Sequence, residues 1–184
     1  MYYLDQGLLR VTKHQKFPDG TSRVKKAVLI SSNVPCLIKT DQSPDGVDIS
    51  VLDTFRALME KDRAQFFRDV PTGPFFSFNR PQAKTSQGLI ESWFQAGMQA
   101  GFKATYDTTK SWHNWYGDDL KGMEIPVHFI QGDDDQIVPI KTGALLGVKM
   151  AKDGHLKVYP GASHALPRLN AEEINQDLLE ILKS

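Results

Sequence analysis

At 184 residues the chain is long enough for one domain with a real hydrophobic core. Its 22 basic and 22 acidic residues cancel and no basic block stands out, which argues against nucleic acid or an anionic membrane surface as a partner. A single cysteine, Cys36, excludes an internal disulfide framework; with no apolar run near the roughly 20 residues of a membrane span and no signal-peptide core in residues 1–19, a cytoplasmic α/β protein is expected.

Residues 1–19 hold only a weak strand signal, Leu9 and Val11 alternating with Arg10 and Thr12, and Pro18-Asp19-Gly20 is a turn. Residues 23–32 are the first convincing strand, apolar over 24–30 and ended by Asn33-Val34-Pro35. The turn-like DQSPD of residues 41–45 opens an excursion of helical character. Ile49, Leu52, Phe55, Leu58 and Met59 share one helical face. Phe66 and Phe67 lie on a second short helix, expected to end before Pro71. Phe75, Phe76 and Phe78 follow; Ser86 then caps a helix carrying Leu89, Ile90, Trp93, Phe94 and Met98. Beyond Gly101 a further helix is expected to carry Tyr106, Trp112 and Trp115. Aromatic residues at such spacing ordinarily form core; a pocket for small aromatic or acyl groups is the functional alternative.

Two stretches carry chemistry. Residues 125–130 form a short apolar run that reads as a buried parallel strand, followed by Gly132 and three carboxylates, Asp133, Asp134 and Asp135. Pro139 is expected to open the next helix. Leu156, Val158 and Tyr159 make another strand, ended by Pro160-Gly161, with His164 on the loop behind it. Adjacent parallel strands bring their carboxyl ends together, where open α/β sheets hold ligands and catalytic groups. This order can place a carboxylate against an imidazole, fixing the ring tautomer and stabilising the imidazolium formed in general-base work. The same carboxylates could instead cap a helix or bind a metal, although no His or carboxylate at ligand spacing accompanies them. His113 and His128 read as structural. In residues 171–183, Ile174, Leu178, Ile181 and Leu182 line one face of a final helix, with Asn170 as its cap.

The segments GDDDQIVP (residues 132–139) and YPGASH (159–164), with RVKKAVLISS, PFFSFNRPQAK, SQGLIESWFQAGMQAG and DDLKGMEIPV, resemble the C-terminal part of the α/β-hydrolase fold. The closer similarity is to the bacterial non-heme chloroperoxidases, which are aryl esterases and perhydrolases, and it runs from about Gly20 to the C-terminus. The resemblance implies an α/β fold with a short, mostly parallel sheet. Its partial core would be residues 23–47 and 119–184, with a helical cap, 48–118, inserted between strands and an atypical segment, 1–22, that could add a strand. It further implies Asp135 as orienter and His164 as general base of a Ser-His-Asp triad, with Asp133 and Asp134 outside it. Small ester or acyl substrates are implied, and no metal or other cofactor, since the family's chemistry proceeds through a serine acyl-enzyme.

The nucleophile of this fold sits in a G-x-S-x-G turn from strand to helix and precedes the Asp and His. The chain contains no such motif: in Gly20-Thr21-Ser22-Arg23-Val24, Val24 replaces the second glycine and Ser22 precedes a strand. By family comparison the first five or so strands and the early oxyanion loop are not in this chain, so little or no hydrolysis by the chain alone is expected. Ser31 and Ser32 end a strand without a helix N-terminus behind them, and Cys36 can be a small buried hydrophobe rather than a nucleophile. An unpaired apolar edge on the first strand is a pairing template, to be covered by residues near 8–13, by a dimer or by a partner chain. Three functions fit: a serine hydrolase whose nucleophile comes from another polypeptide, a non-catalytic binding or scaffolding module, or a truncated product with no role of its own.

Overall fold

The computed structural model describes residues 16, 19, 20 and 23–183; the strand expected near residues 8–13 and Ser22 lie outside them. Among the described residues three strands form one parallel sheet: β1 (Ala27–Ile30), β2 (Val127–Gly132) and β3 (Gly154–Tyr159), in the order β1-β2-β3. The middle strand is buried on both faces except at the half-buried His128, which fits its largely apolar run. Val127 and Phe129 point to one face, where they meet Leu29, Tyr116, Leu120 and Ala144. Ile130 points to the other, among Tyr159, Leu166 and Ile174.

β1 is shorter than the strand expected over 23–32, because its partner begins only at Val127. Pro126 takes the Ala27 N–H on its carbonyl at 3.0 Å but has no N–H to return, so the ladder stops there.

Between β1 and β2 the chain is helical. α1 (Ile49–Lys61) is capped by Asp48, and Asp62 both ends it and caps α2 (Arg63–Thr72). Leu52 and Met59 of α1 are buried, whereas Ile49 and Leu58 of the expected apolar face are exposed. α2 runs through Pro71 instead of ending before it. Its last turn closes without the proline N–H: Thr72 Oγ1 donates to the Asp69 carbonyl at 2.8 Å and Gly73 N–H to that of Val70 at 3.3 Å. α3 (Gln87–Gln99) starts at Ser86, whose hydroxyl accepts the Leu89 N–H as expected, and it packs on α2.

The single helix expected to carry Tyr106, Trp112 and Trp115 is instead α4 (Phe102–Thr108), a separate 3-10 turn (Ser111–His113) and a loop holding Trp115. The hydroxyls of Thr109 and Ser111 donate to the carbonyls of Tyr106 and Thr108 at 2.7 Å each, competing with the amides that would continue the helix. Trp112 and Trp115 pack against the Cys36–Leu37–Ile38 cluster, which also includes Leu52 and Val138, so the aromatic residues there are core.

α5 (Gly117–Gly122) and α6 (Ala144–Met150) cover the first face of the sheet, and α7 (Leu166–Leu169) and α8 (Ala171–Lys183) the second. α6 begins at Ala144, not at Pro139. The reason is Gln131, a buried side chain that accepts the Ala144 N–H at 3.0 Å and donates to the Val138 carbonyl at 2.7 Å, holding residues 139–143 as turns. On α8, Ile174 is buried and Leu178 and Ile181 pack beside it, but Leu182 is 72% exposed. The Asn170 side chain donates to Glu173 at 3.0 Å rather than accepting a backbone N–H. Among the described residues no helix is long and apolar enough to cross a membrane.

Candidate active site

The carboxyl ends of β2 and β3 meet at Gly132. A Cβ there would lie 2.0 Å from the Ala162 carbonyl oxygen, so only glycine lets the two chain segments touch. The contact is sealed by the Asp133 N–H on the Tyr159 carbonyl at 3.3 Å and the Asp134 N–H on that of Ala162 at 3.2 Å.

The three consecutive carboxylates diverge from this point. Asp133 accepts the Gly161 N–H at 2.6 Å and ties one turn to the other. Asp134 meets Arg80 and Ser77, and the Arg80 guanidinium holds its carboxyl below the usual range. Asp135 turns inward: its side chain is fully buried, Oδ1 accepts the N–H groups of Ile137 at 3.0 Å and Val138 at 2.8 Å, and Oδ2 accepts from Gln131 Nε2 at 3.3 Å.

His164 Nδ1 lies 3.0 Å from Asp135 Oδ2. A carboxylate can only accept, so when Asp135 takes this bond from a neutral imidazole, Nδ1 is the donor and Nε2 keeps the lone pair. Nε2 has no hydrogen-bond partner among the described residues. The ring is 13% exposed and stands edge-on to Phe75, with centroids 5.1 Å apart. Ser163, buried beside it, accepts the Ala165 N–H at 3.2 Å and shapes the loop. The pair can therefore orient an imidazole and accept a proton at Nε2.

The other sequence candidates are placed as follows. Ser31 ends β1 in the left-handed region (φ 46°), on the sheet end that carries Asp135 and His164, and its buried hydroxyl has no partner among the described residues. The Ser32 hydroxyl accepts the Val34 N–H at 3.3 Å. Cys36 is fully buried and donates to the Ile38 carbonyl; burial pushes its thiol above the ordinary range, the opposite of what a nucleophile needs. Among the described residues no three His, Cys, Asp or Glu side chains are grouped to hold a metal.

His128 stacks on His155, its register partner on β3, with ring centroids 4.6 Å apart and planes 15° from parallel. Burial first, then the neighbouring His155 and Lys26, lower the pKa of His128. Sequence reasoning missed this pair, although a parallel register between the two strands would have revealed it. It also missed Gln131, Arg80 and Ser77, which touch the Asp turn from positions with no periodic relation to it.

No family model matches the chain. It is 45% identical over 163 residues to a non-heme chloroperoxidase of Burkholderia pyrrocinia, covering 88% of this chain and 59% of the relative. A bifunctional esterase/perhydrolase of Acinetobacter calcoaceticus is 41% identical over 162 residues, covering 88% of this chain and 59% of the relative. Among solved structures, a bromoperoxidase from Bacillus anthracis superposes with a TM-score of 0.84 at 26% identity, over 95% of this chain and 63% of that one. An esterase from Exiguobacterium antarcticum, at 18% identity and a TM-score of 0.84 over 97% of this chain and 62% of that one, shares the fold. The chain spans about three-fifths of the length of the curated relatives it matches. It is thus a homologue of the non-heme chloroperoxidases, corresponding to a C-terminal part of their α/β-hydrolase fold.

Proposed function

We propose that Asp135 and His164 are the orienter and general base of a Ser-His-Asp triad for acyl transfer, and that the serine comes from outside these 184 residues. The carrying observation is the 3.0 Å contact between His164 Nδ1 and a buried Asp135 carboxylate that is already held by two backbone N–H groups. With Nδ1 committed, Nε2 would take the proton of an attacking hydroxyl and later return it to the leaving group. The substrates would be small esters, or carboxylates converted to peracids, as the esterase and perhydrolase names of relatives suggest. Supporting an external nucleophile are the lack of a G-x-S-x-G motif in the chain and its three-fifths coverage of those relatives. The polypeptide that supplies it would also pair with the outer edge of β1.

The test is para-nitrophenyl acetate turnover by the chain, its His164→Ala variant, and a fusion to the N-terminal two-fifths of the Burkholderia relative. The chain should do no better than His164→Ala, while the fusion should turn over and lose activity with either His164→Ala or Asp135→Ala. Turnover by the unfused chain that depends on His164 would place a nucleophile within it. A correctly folded fusion that stays inactive would remove the triad reading.

A further inference from the structure

One short segment, residues 75–80, packs on His164 and bonds to both chain neighbours of Asp135. The Phe75 ring stands at 73° to the His164 imidazole, and the Phe75 carbonyl accepts the N–H of Ala165 at 3.2 Å. Ser77 sits in the left-handed region at φ 54°, and its hydroxyl donates to Asp134 Oδ2 while accepting from Gln136 Nε2, both at 3.0 Å. Asn79 and Gln136 exchange amide hydrogen bonds at 2.9 and 3.1 Å. Arg80 closes on Asp134 with both edges of its fork, Nε lying 3.0 Å from Oδ2.

Asp134 and Gln136 are the two chain neighbours of Asp135. The carboxylate that meets His164 is thus bracketed on both sides by side chains fastened to the segment that packs on the imidazole. Local structure does not demand this, for residues 75–80 are turns. A non-glycine residue in the left-handed region persists only where its surroundings over-determine it, and here the two hydrogen bonds of the Ser77 hydroxyl do so. A bidentate guanidinium adds orientation that a point charge cannot.

We infer that residues 75–80 are a positioning strut: Ser77, Asn79 and Arg80 set the Asp turn through Asp134 and Gln136, and Phe75 sets the tilt of His164. This rests on the reading of Asp135 and His164 as the acid–base pair, and its test separates the two.

The readout is the downfield proton resonance of His164 Hδ1 in its bond to Asp135, with its exchange rate against water, measured on the full chain. In the wild type this resonance is present, and Asp135→Asn removes it. Arg80→Ala and Gln136→Ala should speed its exchange by about fivefold, the scale of opening expected when a partly exposed ion pair is lost. Arg80→Lys, which keeps the charge but not the fork, should fall between. The buried Phe129 amide of β2 should exchange at the wild-type rate throughout, which separates positioning from general loosening. An unchanged Hδ1 rate in both alanine variants, or an equal acceleration at Phe129, overturns the strut and leaves the pair standing. Absence of any Asp135-dependent resonance in the wild type overturns the pair and the strut together.

Discussion

Gln131 donates to Asp135 Oδ2 at 3.3 Å while its own carbonyl accepts the N–H of Ala144 at 3.0 Å, so one buried amide joins the Asp135 carboxylate to the start of α6. Gln131→Leu has nearly the right volume but cannot make these bonds. It leaves the Val138 carbonyl and Ala144 N–H unsatisfied and should cost about 2–4 kcal/mol. Urea unfolding should show a lower midpoint with an unchanged slope.

Gly132→Ala should be among the most damaging small changes in the chain. The new methyl would meet a backbone carbonyl at Ala162, which cannot step aside without moving the turn that carries His164. A loss of about 2–4 kcal/mol is expected by overpacking against backbone. Thermal unfolding should report it, and the His164 ring resonances should shift in the folded variant.

The stacked histidines make stability depend on pH. The folded-state pKa of His128 is depressed below its ordinary value of 6.5, so the unfolded chain binds the proton first. Stability is therefore full above about pH 6.5 and declines as pH falls from there through the folded pKa. His128→Phe should flatten this part of the curve in denaturant midpoints taken from pH 8 to pH 5.

Cys36 offers a probe of local opening. Its thiol is fully buried and held above its ordinary pKa by burial, so a disulfide reagent should react with the native chain far more slowly than with the unfolded one. A retardation of about a thousandfold or more is expected if only substantial opening exposes it. Rapid native labelling would mean that the cluster around Leu37 and Ile38 opens readily.

That the Asp133–Asp135 turn and His164 come together is legible from sequence because each follows a short apolar strand, and parallel order brings such strand ends together; which of the three carboxylates meets the ring is implied only by the family resemblance. The fold class is legible for the same reason, as is the Ser86 cap, a local choice of one hydroxyl. Helix boundaries fail where side chains overrule periodicity: Gln131 delays α6, and Thr109 and Ser111 cut short the helix expected to reach Trp115. The Arg80–Asp134 bond joins residues 54 apart and leaves no pattern at either end. Asp177 is hidden similarly, sitting on the polar-looking side of α8 yet buried against Lys157 and Tyr159. Burial pushes its carboxyl up, but those two partners outweigh this and leave its pKa lowered.

β1 and β2 are register partners although all of the helices from α1 to α5 lie between them in the chain. The long detour leaves the sheet and returns to the adjoining position. Insertions and deletions in the exposed turns of the detour can therefore be accommodated while the strand register is kept. Parts of it do reach back: Tyr116 and Leu120 pack on the sheet itself, and residues 75–80 bond to the Asp turn and pack on the His loop. A chimera that exchanges the detour wholesale should keep those six residues matched to their sheet, or exchange both together.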